Sequence, residues 1–166
     1  MKPTVISTFC GTGGSSLGYK LAGYKELLAI DFDPNAVKCF RENFLDVHCW
    51  ERSVVDVTGQ EILDFCNLKK GELDVLDGSP PCQGFSAANA KNANNINDPR
   101  NSLYRHYRRL IEELCPKVFV MENVPGMIKG KMKGKFIEIM NSLKELDYKV
   151  KCKSMNAKYY NVPQSR

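Results

Sequence analysis

The 166-residue sequence lacks the features of membrane proteins and of disulfide-stabilised proteins. It has no apolar run long enough to cross a membrane, and its start, from Met1 to Ile6, turns polar too soon for a signal peptide. The seven cysteines are odd in number and scattered, and they form no C-x-x-C pair, which argues against a disulfide framework or a zinc site. We therefore expect a cytoplasmic or nucleoid-associated protein with no metal and no membrane partner.

The composition is that of an ordinary globular domain, with 43% hydrophobic and 26% charged residues. The length is sufficient for one domain with a substantial core. The net charge of +5 is compatible with a nucleic-acid partner, although many proteins without such a partner share a mild positive balance.

The first segment predicts half of a nucleotide-binding βαβ unit. The β-branched run from Thr4 to Phe9 predicts a strand, Gly11 and Gly13 form a turn, and Ser15 to Ala22 predicts a helix. Glycines let the backbone pass close to a ligand, and a helix start favours a negative group. Ser16 replaces the third glycine of a G-x-G-x-x-G motif, which disfavours a pyrophosphate-binding dinucleotide fold. A tight turn without a ligand is the alternative.

A second strand, Leu27 to Ile30, ends at Asp31, about 20 residues beyond the glycines, where an acidic residue can accept hydrogen bonds from ribose hydroxyls. Phe32 follows, either against an adenine or in the core. Asp33 is the expected N-cap of a helix that begins at Pro34 and runs to about Asn43.

The rest of the chain alternates between strands and helices. We predict strands near Ser53–Val55 and at Leu73–Leu76, Lys117–Met121 and Tyr148–Met155. We predict helices from Thr58 or Gly59 to Cys66, and at Arg100–Cys115 and Lys135–Leu146. In the helix at 100–115, an apolar stripe consists of Leu103, Tyr107, Leu110, Ile111 and Leu114. Its charged face carries Arg100, Arg105, Arg108 and Arg109, of which we expect at least two to be solvated. The alternation predicts an α/β fold with a mostly parallel sheet and helices on both faces.

Cys82 is the strongest candidate for chemistry. The hydrophobic run before it predicts a buried strand, which Gly78 and the pair Pro80-Pro81 terminate. A thiol is thereby held at the edge of the sheet where ligands bind in open α/β folds. A buried structural cysteine is the alternative. Glu122 follows the next central strand and occupies an equivalent place.

Three strand ends therefore converge: the glycine turn with Asp31, the Cys82 loop, and Glu122. This is a nucleotide-like cofactor site beside a thiol and a carboxylic acid. The two histidines, His48 and His106, lie in or beside predicted helices and are weak candidates for a protease-type base.

Five motifs occur in the order expected for one family. They are Phe9-Cys10-Gly11-Thr12-Gly13-Gly14, Pro80-Pro81-Cys82-Gln83-Gly84-Phe85-Ser86, Asp98-x-Arg100-Asn101-x-Leu103, Glu122-Asn123-Val124 and Gln164-Ser165-Arg166. Together they resemble the motifs of cytosine-5 DNA methyltransferases, over almost the whole chain. The resemblance implies a Rossmann-like methyltransferase fold and S-adenosyl-L-methionine as cofactor.

The resemblance also implies roles for individual residues. Gly11 and Gly13 would pass under the methionine part of the cofactor, and Asp31, where the family usually has glutamate, would hold the ribose. The remaining cofactor contacts would come from Phe9, Phe32, Pro81 and Leu103. The residue that contacts the adenine amino group is either Ser53 or Asp56, because the sequence register is ambiguous there.

The implied reaction explains the residue types. Cytosine C5 is a poor nucleophile, and addition of the Cys82 thiolate at C6 makes the ring reactive. Glu122 would hydrogen-bond or protonate N3, and Arg166 would steady the base, which must be flipped out of the DNA duplex. Substrate contacts would come from Gln83, Ser86, Asn123, Val124 and Gln164.

The sequence departs from the family at its end. Arg166 matches the first arginine of a Gln-x-Arg-x-Arg motif, and the second arginine and a target-recognition region are absent. We therefore expect residues 1–166 to be the N-terminal part of the catalytic domain, with DNA as substrate. The chain is either a truncated or fragmentary product or one subunit of a split enzyme with a complementing C-terminal chain. The alternatives are a tRNA cytosine-5 methyltransferase and a non-catalytic fragment that binds S-adenosylmethionine or DNA.

Overall fold

The computed structural model describes residues 2–81, 102–128 and 133–164. The predicted site residues Cys82, Gln83, Ser86 and Arg166 lie outside the described residues. The described chain forms two compact units, Met1–Val124 and Pro125–Arg166.

The first unit is built on a five-stranded sheet with the order β3-β2-β1-β4-β5. The strands are β1 (Thr4–Thr8), β2 (Lys25–Asp31), β3 (Cys49–Glu51), β4 (Val75–Gly78) and β5 (Val118–Met121). Every neighbouring pair is parallel, so the carboxyl ends of all five strands meet at one edge. This confirms the predicted parallel α/β fold and places the glycine turn, Asp31 and Glu122 at the same edge.

The described residues of this unit form four α-helices: α1 (Gly14–Leu21), α2 (Pro34–Asn43), α3 (Gly59–Cys66) and α4 (Leu103–Leu114). Tyr19 of α1 donates a hydrogen bond to Asp77 on the sheet, while a Cβ on the next residue, Gly78, would overlap the ring of Tyr107 of α4. Successive strand residues point to opposite faces. Helices α1 and α4 therefore cover opposite faces of the sheet, as the sequence predicted.

Local capping sets the starts of α2 and α3. The carboxylate of Asp33 accepts hydrogen bonds from the backbone N–H groups of Asn35 and Ala36, at 2.8 and 3.3 Å, which confirms the predicted N-cap. Thr58 and Glu61 form a reciprocal capping box at α3. Such caps each contribute about 1 kcal/mol.

The apolar stripe of α4 matches the prediction at four of its five positions. Tyr104 is buried, together with Tyr107, Leu110, Ile111 and Leu114, whereas Leu103 at the helix start is half-buried. The hydroxyl of Tyr107 lies 2.9 Å from the carbonyl of Leu76 and 2.8 Å from that of Val120, so this polar atom is satisfied inside the core.

Two strand predictions were wrong. The third strand is Cys49–Glu51, and residues 53–57 form a turn closed by a hydrogen bond from Asp56 N to Ser53 O at 3.0 Å. Valines suggested a strand there, but Val54 and Val57 are buried as anchors of a loop. Residues 148–155 are described without strand pairing.

The second unit contains α5 (Lys133–Lys144), which contacts a short 3₁₀ helix, Pro125–Ile128. A second 3₁₀ turn spans Ala157–Tyr160. No helix among the described residues of either unit is long and apolar enough to cross a membrane.

Candidate active site

The glycine turn after β1 adopts backbone conformations that glycine tolerates best. Gly11 has φ +55° and Gly13 has φ +98°, a region that L side chains rarely occupy. A Cβ on Gly13 would overlap the ring of Phe44, whereas one on Gly11 would meet no atom within 4 Å. Gly13 therefore packs against α2, and Gly11 borders open space at the edge of the sheet.

Asp31 at the end of β2 is tied to this turn. One carboxylate oxygen accepts a hydrogen bond from Gly11 N at 2.8 Å, and the other accepts one from Asp33 N at 3.0 Å. Each oxygen has a second lone pair that can accept from a ligand. The sequence indicated a ribose contact for Asp31; the structure adds that Asp31 fixes the position of the glycine turn.

Phe32, next to Asp31, has 65% of its surface exposed. Of the two interpretations left open by the sequence, core packing is therefore excluded. An aromatic face at the carboxyl edge of the sheet is available for a planar ligand.

The loop after β3 carries both candidates for the adenine contact. It begins beside Asp31, whose carbonyl accepts a hydrogen bond from Arg52 N at 2.9 Å. The hydroxyl of Ser53 accepts a bond from Val55 N at 3.2 Å, while the side chain of Asp56 is exposed. These surroundings favour Asp56 over Ser53 as the acceptor offered to a ligand.

The ends of β4 and β5 are held together just before Cys82. Glu122 N donates to Gly78 O at 3.0 Å, and Asn123 Nδ2 donates to Pro80 O at 3.2 Å. The structure thus brings Glu122, which is exposed, beside the Pro80-Pro81 segment that leads into Cys82. The hydrogen bond of Asn123 to Pro80 gives this residue a structural role that the sequence did not indicate.

Of the other predicted site residues, some belong to the first unit and one described residue belongs to the second. Phe9, Pro81 and Leu103 are half-buried residues of the first unit, and Phe9 has φ +55°. Val124 is the last residue of that unit, and its N–H donates to Asn123 Oδ1 at 2.8 Å. Gln164 is exposed in the second unit.

Two cysteines in the described part of the chain are held as neutral thiols. A hydrogen bond with Cys49 and burial raise the pKa of Cys10, whose sulfur lies 3.9 Å from that of Cys49. Burial raises the pKa of Cys66 to about 11. Because a thiolate is the reactive species, neither Cys10 nor Cys66 is a good nucleophile near neutral pH.

The sequence did not indicate that Asp77 is a buried polar residue of the sheet. Asp77 is 5% exposed and accepts a hydrogen bond from the Tyr19 hydroxyl at 3.2 Å. The pKa of Asp77 is raised because the effect of burial exceeds that of the hydrogen bonds with Ser15 and Tyr19, which lower it. Nearby, Glu26 accepts a bond from Ser16 at 2.9 Å, and burial raises its pKa as well. Only the fold shows that α1 covers these carboxyl groups.

We expect Asp77→Asn to stabilise the protein at neutral pH by about 1 kcal/mol, with a Tm higher by about 2–4 °C. A raised carboxyl pKa means that the folded state binds more protons than the unfolded state. Stability is therefore retained below the unfolded pKa, near 4, and falls as the pH rises through the folded pKa. Thermal melts from pH 3.5 to 8 measure this, and the two proteins should converge at the acid end.

Glu61→Gln is a control of opposite sign for the Asp77 experiment. The Thr58 N–H and the Arg52 guanidinium hold the pKa of Glu61 at about 2, so its ionised form supports the fold at neutral pH. A lower Tm in Asp77→Asn at pH 7 would contradict the stated cost of burying this charge.

Comparison with known proteins identifies the family. The model of the C-5 cytosine-specific DNA methylase family matches residues 3–166. Type II methyltransferase M1.HphI of Haemophilus parahaemolyticus is 37% identical over 100% of this chain and 44% of its own length. Type II methyltransferase M.AquIA of Picosynechococcus sp. is 36% identical over 100% of this chain and 69% of its own length. The chain thus spans less than half of M1.HphI.

Solved structures give the same result. A protein described as a DNA modification methyltransferase encoded within an E. coli prophage superposes with a TM-score of 0.72 and 33% identity, over 87% of this chain and 38% of that one. DNMT2 of Spodoptera frugiperda has a TM-score of 0.61 and 23% identity, over 86% of this chain and 41% of its own, which supports the fold alone. Because the family model matches residues 3–166, nearly the full length, the chain belongs to the C-5 cytosine-specific DNA methylase family.

Proposed function

We propose that this chain carries the cofactor site and the reacting groups of a DNA (cytosine-5-)-methyltransferase. The observation that carries the proposal is the hydrogen bond from Asn123 to Pro80 at 3.2 Å. It holds the strand end that bears Glu122 beside the segment leading to Cys82. A carboxyl group and a thiol are the two protein groups that addition to a cytosine ring requires.

The described residues fit S-adenosyl-L-methionine, the cofactor that the family uses. Gly11 borders open space, Asp31 has acceptor capacity for ribose hydroxyls, and exposed Phe32 presents a face to adenine. Asp56 would accept from the adenine amino group, and Leu103 would line the same pocket. When bound, the cofactor supplies the methyl group that cytosine C5 receives.

The residues of the chain then carry out the addition and the proton transfers. The Cys82 sulfur forms a bond to C6 of cytosine, which moves electron density towards C5. Glu122 donates a hydrogen bond or proton at N3, where negative charge develops. After methylation, solvent water takes the C5 proton, the C6–sulfur bond breaks and Cys82 leaves as thiolate. Glu122 takes back any proton that it gave to N3, so the aromatic ring and the protein groups are restored.

The substrate class follows from the family and from the reaction. A cytosine inside a duplex cannot be reached at C6, so we infer that the base is flipped out, with Gln83, Ser86 and Val124 near it. Direct readout of a target sequence needs side chains placed in a groove. We infer that sequence-specific methylation needs such a reading region in addition to the cofactor site and the reacting groups proposed here.

A methyl-transfer assay with isotopically labelled S-adenosylmethionine tests the proposal. The intact protein is incubated with duplex DNA, and the products are digested to nucleosides. The expected product is 5-methylcytosine. Label in N4-methylcytosine or N6-methyladenine would contradict the proposed chemistry, and label in tRNA with none in DNA would contradict the proposed substrate.

We expect Asp31→Asn to weaken S-adenosylmethionine binding about tenfold or more, because hydrogen bonds to a charged group contribute about 1.5–3 kcal/mol. The amide also offers only one acceptor oxygen where Gly11 N and Asp33 N each use one. Calorimetric titration measures the effect. Asp33→Asn is the matched control, since Asn caps helices as well as Asp does. Equal affinity in wild type and Asp31→Asn would show that the Asp31 carboxylate does not bind the cofactor.

A further inference from the structure

In the loop between β3 and α3, residues 52–58, the carbonyl groups of Val54 and Val57 accept hydrogen bonds from a distant helix. The preceding strand, β3, ends at Glu51, and both valines are buried. Buried carbonyls need a donor. The donor here is Arg109 of α4, more than 50 residues away in sequence.

One guanidinium nitrogen of Arg109 donates to Val54 O at 2.9 Å and to Val57 O at 2.8 Å. Its other terminal nitrogen donates to the Glu113 carboxylate at 3.0 and 3.1 Å. Both side chains are about one-third exposed, at 31% and 34%. Arg109 is therefore not one of the arginines of this helix that are solvated, because its guanidinium bonds both the Glu113 carboxylate and the loop carbonyls.

Glu113 extends this contact to the start of α3. One of its oxygens accepts a hydrogen bond from Gly59 N at 2.5 Å, an N–H of the first helical turn that has no partner within the helix. A Cβ at Gly59 would overlap the Cβ of Glu113. Glycine is therefore required for this close approach. We call Arg109 and Glu113 together the α4 clamp.

Arg109 of the α4 clamp bonds the loop on both sides of Asp56. Val54 and Val57 flank that residue, and Arg52 donates to its carbonyl at 2.5 Å. Leu103 begins the same helix six residues before Arg109, a rise of about 9 Å along the axis. One rigid helix thus bears one proposed wall of the adenine pocket and fixes the loop that bears the other.

We propose that Arg109 and Glu113 are positioning residues that hold the β3–α3 loop where Asp56 accepts the adenine amino group. This inference rests on the proposed function, because it concerns the cofactor site assigned above. A hydrogen bond to a carboxylate is strong only at a narrow range of distances and angles. A loop released from the α4 clamp keeps Asp56 but loses its alignment, so selectivity for adenine decreases more than general affinity.

The test compares two ligands that differ at position 6 of the purine and in the proton on the adjacent N1. S-adenosylhomocysteine has an amino group there, and S-inosylhomocysteine has an oxygen that would face the Asp56 carboxylate. We expect the intact wild-type protein to prefer the adenosyl ligand by about tenfold or more. Arg109→Lys should reduce this ratio at least about threefold, because a single ammonium cannot reproduce the fork that joins two carbonyls and a carboxylate.

Glu113→Gln is the second variant, and it carries the test if Arg109→Lys does not fold. Glu112→Gln is the matched control: Glu112 is the adjacent residue and also accepts an i−4 arginine, Arg108 at 3.3 Å. Its selectivity ratio should equal that of wild type. Asp56→Asn should lose most of the selectivity, and combining it with Glu113→Gln should cause little further loss, since both act on one contact.

The outcomes separate the two proposals. Binding of neither ligand by wild type would overturn the proposed function itself. Equal binding of both ligands by wild type would leave a cofactor site but overturn the adenine contact and, with it, the role of the α4 clamp. Selectivity that is unchanged in Glu113→Gln, or equal weakening of both ligands, would mean that the clamp serves only the fold.

Discussion

Cys82→Ser is expected to abolish covalent capture of DNA that contains 5-fluorocytosine. In the proposed reaction the Cys82 sulfur bonds to C6, and the adduct is released only when the proton on C5 leaves. Fluorine at C5 cannot leave as a proton, so the wild-type protein should stay attached to the DNA. A serine hydroxyl has a much higher pKa than a thiol and adds poorly. We expect methyl transfer to fall on the order of 10⁴-fold or more, as for other lost nucleophiles.

The measurement is denaturing gel electrophoresis of the intact protein with labelled 5-fluorocytosine duplex and S-adenosylmethionine. Cys152→Ser is the control, since Cys152 is an exposed thiol that belongs to none of the five family motifs. It should be captured as efficiently as wild type. Capture of Cys82→Ser at the wild-type level would show that another residue is the nucleophile. Cys10 and Cys66 are poor candidates because their pKa values are raised, that of Cys10 by its hydrogen bond with Cys49 and by burial, and that of Cys66 by burial.

Glu122→Gln is expected to slow methyl transfer about 10²- to 10⁴-fold, the usual range for general acid–base groups. The amide can still donate a hydrogen bond to cytosine N3, but it cannot transfer a proton as charge develops there. Glu122 lies at the edge of the sheet through its backbone bond to Gly78, at 3.0 Å, and an isosteric amide should not disturb that bond. Affinity for S-adenosylmethionine should therefore remain within about twofold of wild type.

Single-turnover kinetics separate the chemical step from binding in this variant. Glu42→Gln, an exposed glutamate on α2, is the control for the loss of one negative charge. A Glu122→Gln protein with the wild-type single-turnover rate would exclude a proton-transfer role. Equal losses of rate and of cofactor affinity would instead mean that Glu122 has a structural role in the site.

Several parts of the site were predictable because their signals are local. The φ values of Gly11 and Gly13, both positive, are what a glycine turn after a strand predicts. Asp33-Pro34 determines the start of α2 through contacts within three residues. A parallel sheet then brings the carboxyl ends of its strands together, so the proximity of Asp31 and Glu122 to the same edge follows from strand order.

The misassigned loop at 53–57 shows where local reasoning failed. Val54 and Val57 have strong strand propensity, yet their carbonyls bond to Arg109. That partner is on a helix whose position depends on the whole sheet. Propensity reports how a residue suits an extended backbone, and it cannot report which distant donor satisfies the carbonyl.

By itself, the sequence determined the fold class, the family motifs, the capping of α2, and the identity of the candidate reacting groups. These depend on contacts within a few residues and on the order of elements along the chain. Only the tertiary structure decided that Asp77 is buried beneath α1, that Asn123 joins two strand ends, and that Arg109 and Glu113 hold a loop about 50 residues away. The physical reason is that burial and hydrogen-bond partners across such separations arise only when the helices pack on the sheet.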